Sequence, residues 1–436
     1  MKKFVLVLVL VLVLTLAIMA ACGAEYDEEI TELESGQTAQ DFLEDLDYML
    51  YVLENNFALF DVAYWARGVD IYAIVEDVRA EILTNSDMDA HDFYVVLTNS
   101  FRPLANIGHF WFLDLAQYEF ALTAGSWQQW FYSREALARL QYPHVVSFYE
   151  QNRSRFPRSG WTGGANPTAQ NIRTNFIEEG RIAHLTVSSF WWMNTPFSPH
   201  DHQILNFLAD IRDYEHLIID LRNTEGGSAS NFVISMLAPN IEEDIRIEGY
   251  VFMAHGEYAA GYYERALAGG PLGPSQFPVR MYSVDTELRP IDQMLDEFDL
   301  SEFNTSDARR LDYGFRMHVD IEARHLPRFD HQPAFDGKIW FLTGPRMGSA
   351  IQISSWIAKE TPGFATLVGD ITGGVYGGPR TFVALPNSGI VFFMDVFYIT
   401  DSHGRPLEAG AIPHYFNRDG MDALETVLAM IEEGNY

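Results

Sequence analysis

Apolar positions recur at helical spacing from Asp41 onward. Phe42, Leu46, Leu50 and Leu53 make one stripe, and Ile71, Val75, Val78 and Ile82 a second. Phe93, Val96 and Leu97 make a third that ends before Pro103. Each stripe can bury one helix face, so residues 41–118 are expected to form a helical domain with its own core. Further along the chain the period changes. Arg181 to Phe190 alternates as a half-buried strand does, Asp201 to Tyr214 reads as a helix, and His216 to Leu221 is a short apolar run of the buried-strand type. Gly226-Gly227 breaks the chain before another helical stretch, Ser228 to Leu237. The same sequence of events recurs at Lys338 to Thr343, Gly344-Pro345, and a segment with Ile351, Ile353, Trp356 and Ile357 on one face. Gly389 to Ile399 reads as a strand and Asp422 to Ile431 as a closing amphipathic helix. Strand, glycine-rich turn and helix in succession predict an α/β layer fold, with 176–240 and 335–436 as its core.

Two segments interrupt this rhythm. Residues 119–175 are aromatic and irregular, with Trp127, Trp130, Phe131 and Tyr132, and the stretch SGWTGGANPT at 159–168 reads as a loop. They are expected to connect the helical domain to the core. Residues 241–334, with Tyr250, Phe252, Tyr258, Tyr262 and Tyr263 and a Gly-Pro cluster near 269–274, are expected to be an insertion lying over the core as a lid.

The first residues have a different character. Lys2 and Lys3 precede an apolar run from Phe4 to Met19, followed by Ala20-Ala21-Cys22. This order predicts an export signal rather than part of the fold. Ala-Ala-Cys after the apolar run resembles a bacterial lipobox. The resemblance implies a signal peptide over 1–21, lipidation of Cys22 as the first mature residue, an acidic tether over 22–40, and residence on the extracytoplasmic face of the cell membrane. Cys22 is the only cysteine, which excludes an intrachain disulfide.

Charge narrows the partners. The 436 residues carry a formal net charge of −31, which loss of Lys2 and Lys3 would take to −33. Such a surface repels nucleic acid and anionic headgroups, and no nucleic-acid partner is expected. Hydrophobic content of 48% supports a large core. His200, His202, His318, His325 and His331 are too scattered to predict a metal site, and no cofactor is expected.

Ser349 is the residue around which the chemistry can be placed. It lies between the strand ending at Thr343 and a helix start, where backbone N–H groups are free and the helix dipole is positive. That position suits an alkoxide or an oxyanion. An ordinary helix cap is the alternative for this serine.

Four segments follow one another in order: Asp220 to Gly227 (DLRNTEGG), Gly348-Ser349-Ala350, Gly369 to Gly374 (GDITGG) and Gly404 to Pro413 (GRPLEAGAIP). Together they resemble the tail-specific and tricorn-core family of serine peptidases. The resemblance implies an α/β fold with a crotonase-like, caseinolytic-protease-like core, an N-terminal helical domain and an inserted segment. It implies Ser349 as nucleophile and a peptide or protein substrate. Tail-specific members carry a lysine base in the region that here reads Ile371 to Tyr376, which contains no lysine, and Lys359 is ten residues past Ser349. Tricorn-like members use a histidine from an Asp-Gly-His motif. Ile107-Gly108-His109 matches its Gly-His part, with Ile107 where the family has Asp, so the resemblance assigns the general base to His109. It also assigns Glu408 as an acid supporting the Ser–His pair, and Gly226, Gly227 and Ala350 as backbone oxyanion donors. No PDZ domain is expected in 119–175. A non-catalytic binding protein on the same scaffold is the competing reading, and the distance from Ser349 to the His109 ring discriminates between the two.

Overall fold

The computed structural model describes residues 37–105, 107–123, 134–156, 171–190, 198–224, 226–237, 240–241, 243–254, 256–267, 279–322, 335–374, 380–434 and 436. The export segment with Cys22, the tether as far as Gly36, the aromatic cluster Trp127 to Tyr132, the 159–168 loop, the 269–274 cluster, His325 and His331 lie outside the described residues, and the end of the expected tether, Ala39 and Gln40, already belongs to the first helix. Among the described residues no helix is long and apolar enough to cross a membrane.

Helices Ala39–Asn56, Phe60–Arg67, Ile71–Thr84 and Ala90–Ser100 open the described chain. Phe42, Leu46 and Leu53 of the first stripe are buried, as are all four residues of the second. Two of these helices start with reciprocal capping boxes, Thr38 with Asp41 and Asp89 with Asp92. Such a cap typically stabilises a helix by about 1 kcal/mol. Asp45 faces inward from the first helix, where its carboxylate accepts from the amides of Asn387 and Ser388, both at 2.8 Å. The helical region is therefore pinned to a turn near the C-terminal end of the chain.

The central layer is a six-stranded sheet. Its strands are β2 (Ile172–Glu178), β3 (Ile182–Val187), β4 (His216–Asp220), β9 (Lys338–Thr343), β10 (Thr366–Gly369) and β14 (Tyr415–Phe416), in the order β14-β10-β9-β4-β3-β2. All neighbours are parallel except the β2–β3 pair. β4 and β9 are almost wholly buried, which is why they read as continuous apolar runs rather than alternating ones. Helices Pro199–Asp210, Gln352–Glu360 and Ala423–Glu433 accompany the sheet. Sequence segments on both sides of 241–334 thus share one sheet.

Two smaller sheets complete the architecture. β1 (Trp111–Phe112), β12 (Val391–Asp395) and β11 (Arg380–Ala384) form an antiparallel sheet in the order β1-β12-β11. The described part of 241–334 is not a loose cover. Its strands β5 (Ile245–Met253), β6 (Val279–Ser283), β7 (Arg289–Pro290) and β8 (Tyr313–Ile321) form a five-stranded sheet, and the fifth strand is β13 (Tyr398–Thr400), paired with β5. The layer is also bonded to the N-terminal helices, through Tyr258 to Tyr48 and through Arg309 and Arg310 to Asp61. The connecting region is helical rather than irregular over much of its described part, with helices at Leu115–Thr123, Arg134–Arg139 and Pro143–Gln151, and its last residues, Ile172 to Asn175, already belong to β2.

Candidate active site

The parallel strands β4, β9 and β10 end on one side of the central sheet, and the loops that follow them meet there, as loops at the carboxyl ends of parallel strands commonly do. After β9 the chain turns at Gly344-Pro345 and enters a single 3₁₀ turn, Ser349–Ile351, that leads into helix Gln352–Glu360. Gly348 occupies the cap position, so Ser349 is the first residue of the turn rather than its cap. Ser349 has φ +59°, in the left-handed region that a non-glycine residue seldom occupies. Its amide donates to Gly374 O at 2.9 Å, and Gly373 N–H donates to Met347 O at 2.6 Å. The loop after β10 therefore sets the conformation of the serine.

The loop after β4 closes on the other side. Gly226 has φ +102° and Gly227 +123°. A Cβ on Gly226 would lie 2.7 Å from Ser349 Cβ and 3.2 Å from its Oγ, so only glycine permits this approach. Gly226 and Gly227 are fixed by a bridge to Phe190, whose amide donates to Gly226 O at 3.0 Å. Ala350 follows Ser349 in the 3₁₀ turn. The three candidate oxyanion residues thus lie in the segments that flank the serine.

His109 arrives from the N-terminal part of the chain. Phe110 N–H donates to Ile107 O at 3.0 Å, and both central residues of this turn have positive φ, +53° at Gly108 and +47° at His109. That combination is the signature of a type I′ turn. Ile107, which stands where the resembling family has Asp, is buried. The turn is held instead through Gly108, whose N–H donates to Glu408 Oε1 at 3.1 Å and whose carbonyl accepts from Asp395 N–H at 2.8 Å. A side chain on Gly108 would collide with Leu59 and Phe57.

The His109 ring bridges two partners. Nε2 lies 3.3 Å from Ser349 Oγ, across 240 residues of sequence, and Nδ1 lies 2.9 Å from Asp395 Oδ2. Asp395 is fully buried. β-Sheet register explains its position. Trp111 pairs with Phe393 and Phe112 with Phe392 across β1 and β12, and continuing this antiparallel register by two residues places His109 opposite Asp395. On the other side Asp395 pairs with Arg380, whose Nε is 3.8 Å from Asp395 Oδ1. Burial, with help from the Arg380 charge, holds the His109 imidazole below the usual histidine range, against the opposing effect of Asp395. The ring is consequently neutral at neutral pH, as a proton acceptor must be.

Sequence reasoning thus brought Ser349, His109, Gly226 and Gly227 into one place, but assigned the acid differently. Glu408 is buried in the turn Leu407–Ala409 and reaches the backbone of the His109 turn, whereas the ring itself is met by Asp395. Arg67 donates to the carbonyls of Glu408 and Gly373, which ties helix Phe60–Arg67 to both loops. Lys359 donates to Ile412 O at 3.1 Å. Among the described residues no three His, Cys, Asp or Glu side chains converge as a metal-binding group.

Comparison with known proteins adds the family. No curated protein sequence matches the chain. Solved structures that resemble it include a protein from Parabacteroides merdae, 16% identical, with a TM-score of 0.46 over 91% of this chain and 97% of that one. Mature CPAF complexed with lactacystin is 12% identical, with a TM-score of 0.48 over 91% and 98%. A lipoprotein from Streptococcus agalactiae is 10% identical, with a TM-score of 0.38 over 92% and 98%. The decisive match is of sequence: the model of Peptidase family S41 matches residues 181–416, more than half of the chain, a span that holds Gly226, Ser349, Asp395 and Glu408 but not His109. The chain therefore belongs to peptidase family S41 and is a serine-type peptidase with that family's α/β fold.

Proposed function

We propose that the protein is an extracytoplasmic, lipid-anchored peptidase in which Ser349 is the nucleophile and His109 its general base. The observation that carries this reading is the 3.3 Å approach of Ser349 Oγ to His109 Nε2, made by two residues that are both held at positive φ. As Ser349 Oγ bonds to the substrate carbonyl carbon, its proton passes to Nε2. The carbonyl π pair moves onto oxygen, beside the amides of Gly227 and Ala350. Collapse of this intermediate breaks the C–N bond, and the departing amine takes the proton from His109. Water then repeats the cycle on the acyl-enzyme. The distance is at the long end for a hydrogen bond.

A fluorophosphonate probe and a peptide library test the assignment. Wild type should label and hydrolyse. Ser349→Ala should lose labelling, and its kcat should fall by at least about 10⁴-fold, with little change in melting temperature because only a hydroxyl is removed. His109→Ala should lose nearly as much, since members of such a unit are strongly non-additive. Full activity in either variant refutes the pair. Placement at the membrane rests on the Lys-apolar-Ala-Ala-Cys order of residues 2–22.

A further inference from the structure

We infer that Asp395 is the positioning acid of this site, that Arg380 sets how strongly it acts on His109, and that Glu408 serves the turn backbone instead. This inference rests on the Ser349–His109 reading and deepens it. An ionised carboxylate only accepts hydrogen bonds, so Asp395 Oδ2 at 2.9 Å requires the proton of neutral His109 to sit on Nδ1. The lone pair of Nε2 is then directed at Ser349 Oγ, as a base requires. Asp395 is suited to this by its place in the sheet. It is fully buried, its own N–H holds the Gly108 carbonyl, and its cross-strand neighbour is Arg380. One residue therefore fixes both the ring and the turn that carries it.

Glu408 stands differently. Its Oε1 accepts from the Gly108 N–H, and its carbonyl oxygen accepts from Arg67. Both contacts position backbone. Among the described residues, the charged groups facing the His109 turn are Asp395 from β12, Arg380 from β11, Glu408 from the 407–409 turn and, behind Glu408, Arg67 from helix Phe60–Arg67. Asp395 raises the proton affinity of His109 and Arg380 lowers it, so the strand pair β11–β12 acts on the ring with two opposed charges.

The test uses the full chain and five substitutions: Asp395→Asn, Arg380→Met, Glu408→Gln and, as references, Ser349→Ala and His109→Gln. Steady-state kinetics across pH is combined with NMR titration of the His109 ring, assigned by the signal lost in His109→Gln. Asp395→Asn should lower kcat roughly 10³–10⁴-fold, because an amide tolerates the wrong ring tautomer, and leave KM little changed. It should also move the His109 titration to lower pH, whereas Arg380→Met should move it, and the acidic limb of kcat/KM, to higher pH. Glu408→Gln should leave that titration in place. In wild type, and in Ser349→Ala, the ring proton should be observed on Nδ1, a readout that needs no foldable Asp395 variant and no activity. The inference is overturned if Asp395→Asn keeps kcat within tenfold of wild type, if the proton is found on Nε2, or if the titration follows Glu408 rather than Asp395. Failure of the Ser–His reading looks different: wild type neither labels nor hydrolyses, while the His109 titration still reports which acid faces the ring.

Discussion

Among the described residues, His109 and Ser349 are the non-glycine residues at positive φ, and they are the two whose side chains meet. Holding an ordinary residue there costs about 1–3 kcal/mol, so the surroundings must over-determine it. They do so through backbone: Gly374 O fixes the Ser349 amide, and Asp395 and Glu408 fix Gly108 from opposite sides. The close approach of Gly226 to Ser349 gives a sharp prediction. In Gly226→Ala the new methyl would have to occupy space 2.7 Å from Ser349 Cβ, on a backbone of φ +102°. We expect kcat to fall at least about 100-fold, in the range seen when an oxyanion donor is lost, together with a lower melting temperature. Unchanged turnover would mean that this loop does not enclose the reacting atoms. The depressed proton affinity of His109 gives a second. Activity needs the neutral ring, so it should rise as pH increases through the His109 pKa. Because burial and Arg380 lower that pKa, the acidic inflection of kcat/KM should lie below the ordinary histidine value of about 6.5.

At the scale of elements, the site is a meeting of three loops from the central sheet with one turn imported through the small sheet β1-β12-β11. Helix Phe60–Arg67 braces the junction. Its Trp65 donates to Asp307 Oδ1 at 3.0 Å, Tyr398 of β13 donates to Asp307 Oδ2 at 2.7 Å, and Arg67 at its end reaches Gly373 and Glu408. Burial raises the Asp307 carboxyl to about 6. Asp307→Ala would leave the buried Tyr398 hydroxyl without this acceptor, while Trp65 is more than one-third exposed and can turn to water. The expected loss is about 1–3 kcal/mol in denaturant unfolding, with a smaller fall in kcat through Arg67. Stability equal to wild type would remove Asp307 from the brace. Much of this framework was legible beforehand. The stripe Ile71, Val75, Val78, Ile82 and the run Lys338–Thr343 each report burial directly, because one face or both faces of the element meet the core. Asp395 was not legible in that way. Gly389 to Ile399 reads as one strand, but the structure divides it into β12 and β13, which belong to different sheets, and Asp395 sits at the division. The available signal was the charge itself, since an aspartate inside GIVFFMDVFYI must be buried with a partner. Its identity as His109 depends on a pairing between strands about 280 residues apart, which no local pattern encodes.

For the whole molecule, the proposed location at the membrane is tested through charge and the single cysteine. A chain of net charge −31 has no electrostatic attraction to an anionic bilayer surface. Among the described residues no helix can span a membrane either. In the proposed reading a covalent lipid holds the chain at the membrane, and Cys22, after the apolar run and Ala20-Ala21, is the residue placed to carry it. One acyl chain binds only marginally and reversibly, so the proposed anchor must bear more than one to be stable. In cells expressing the chain, wild type should sediment with membranes and remain there in high salt, because no ion pair holds it. Detergent should release it, and metabolic labelling with a fatty acid analogue should mark it. Cys22→Ala should lose the label. If the apolar segment is still removed, that variant should appear in the soluble extracytoplasmic fraction with its peptidase activity intact, since the residues proposed to act lie at His109, Ser349 and Asp395. Wild type released by salt alone, or a Cys22→Ala chain that is processed yet stays on membranes, would show that something other than lipid holds the peptidase there.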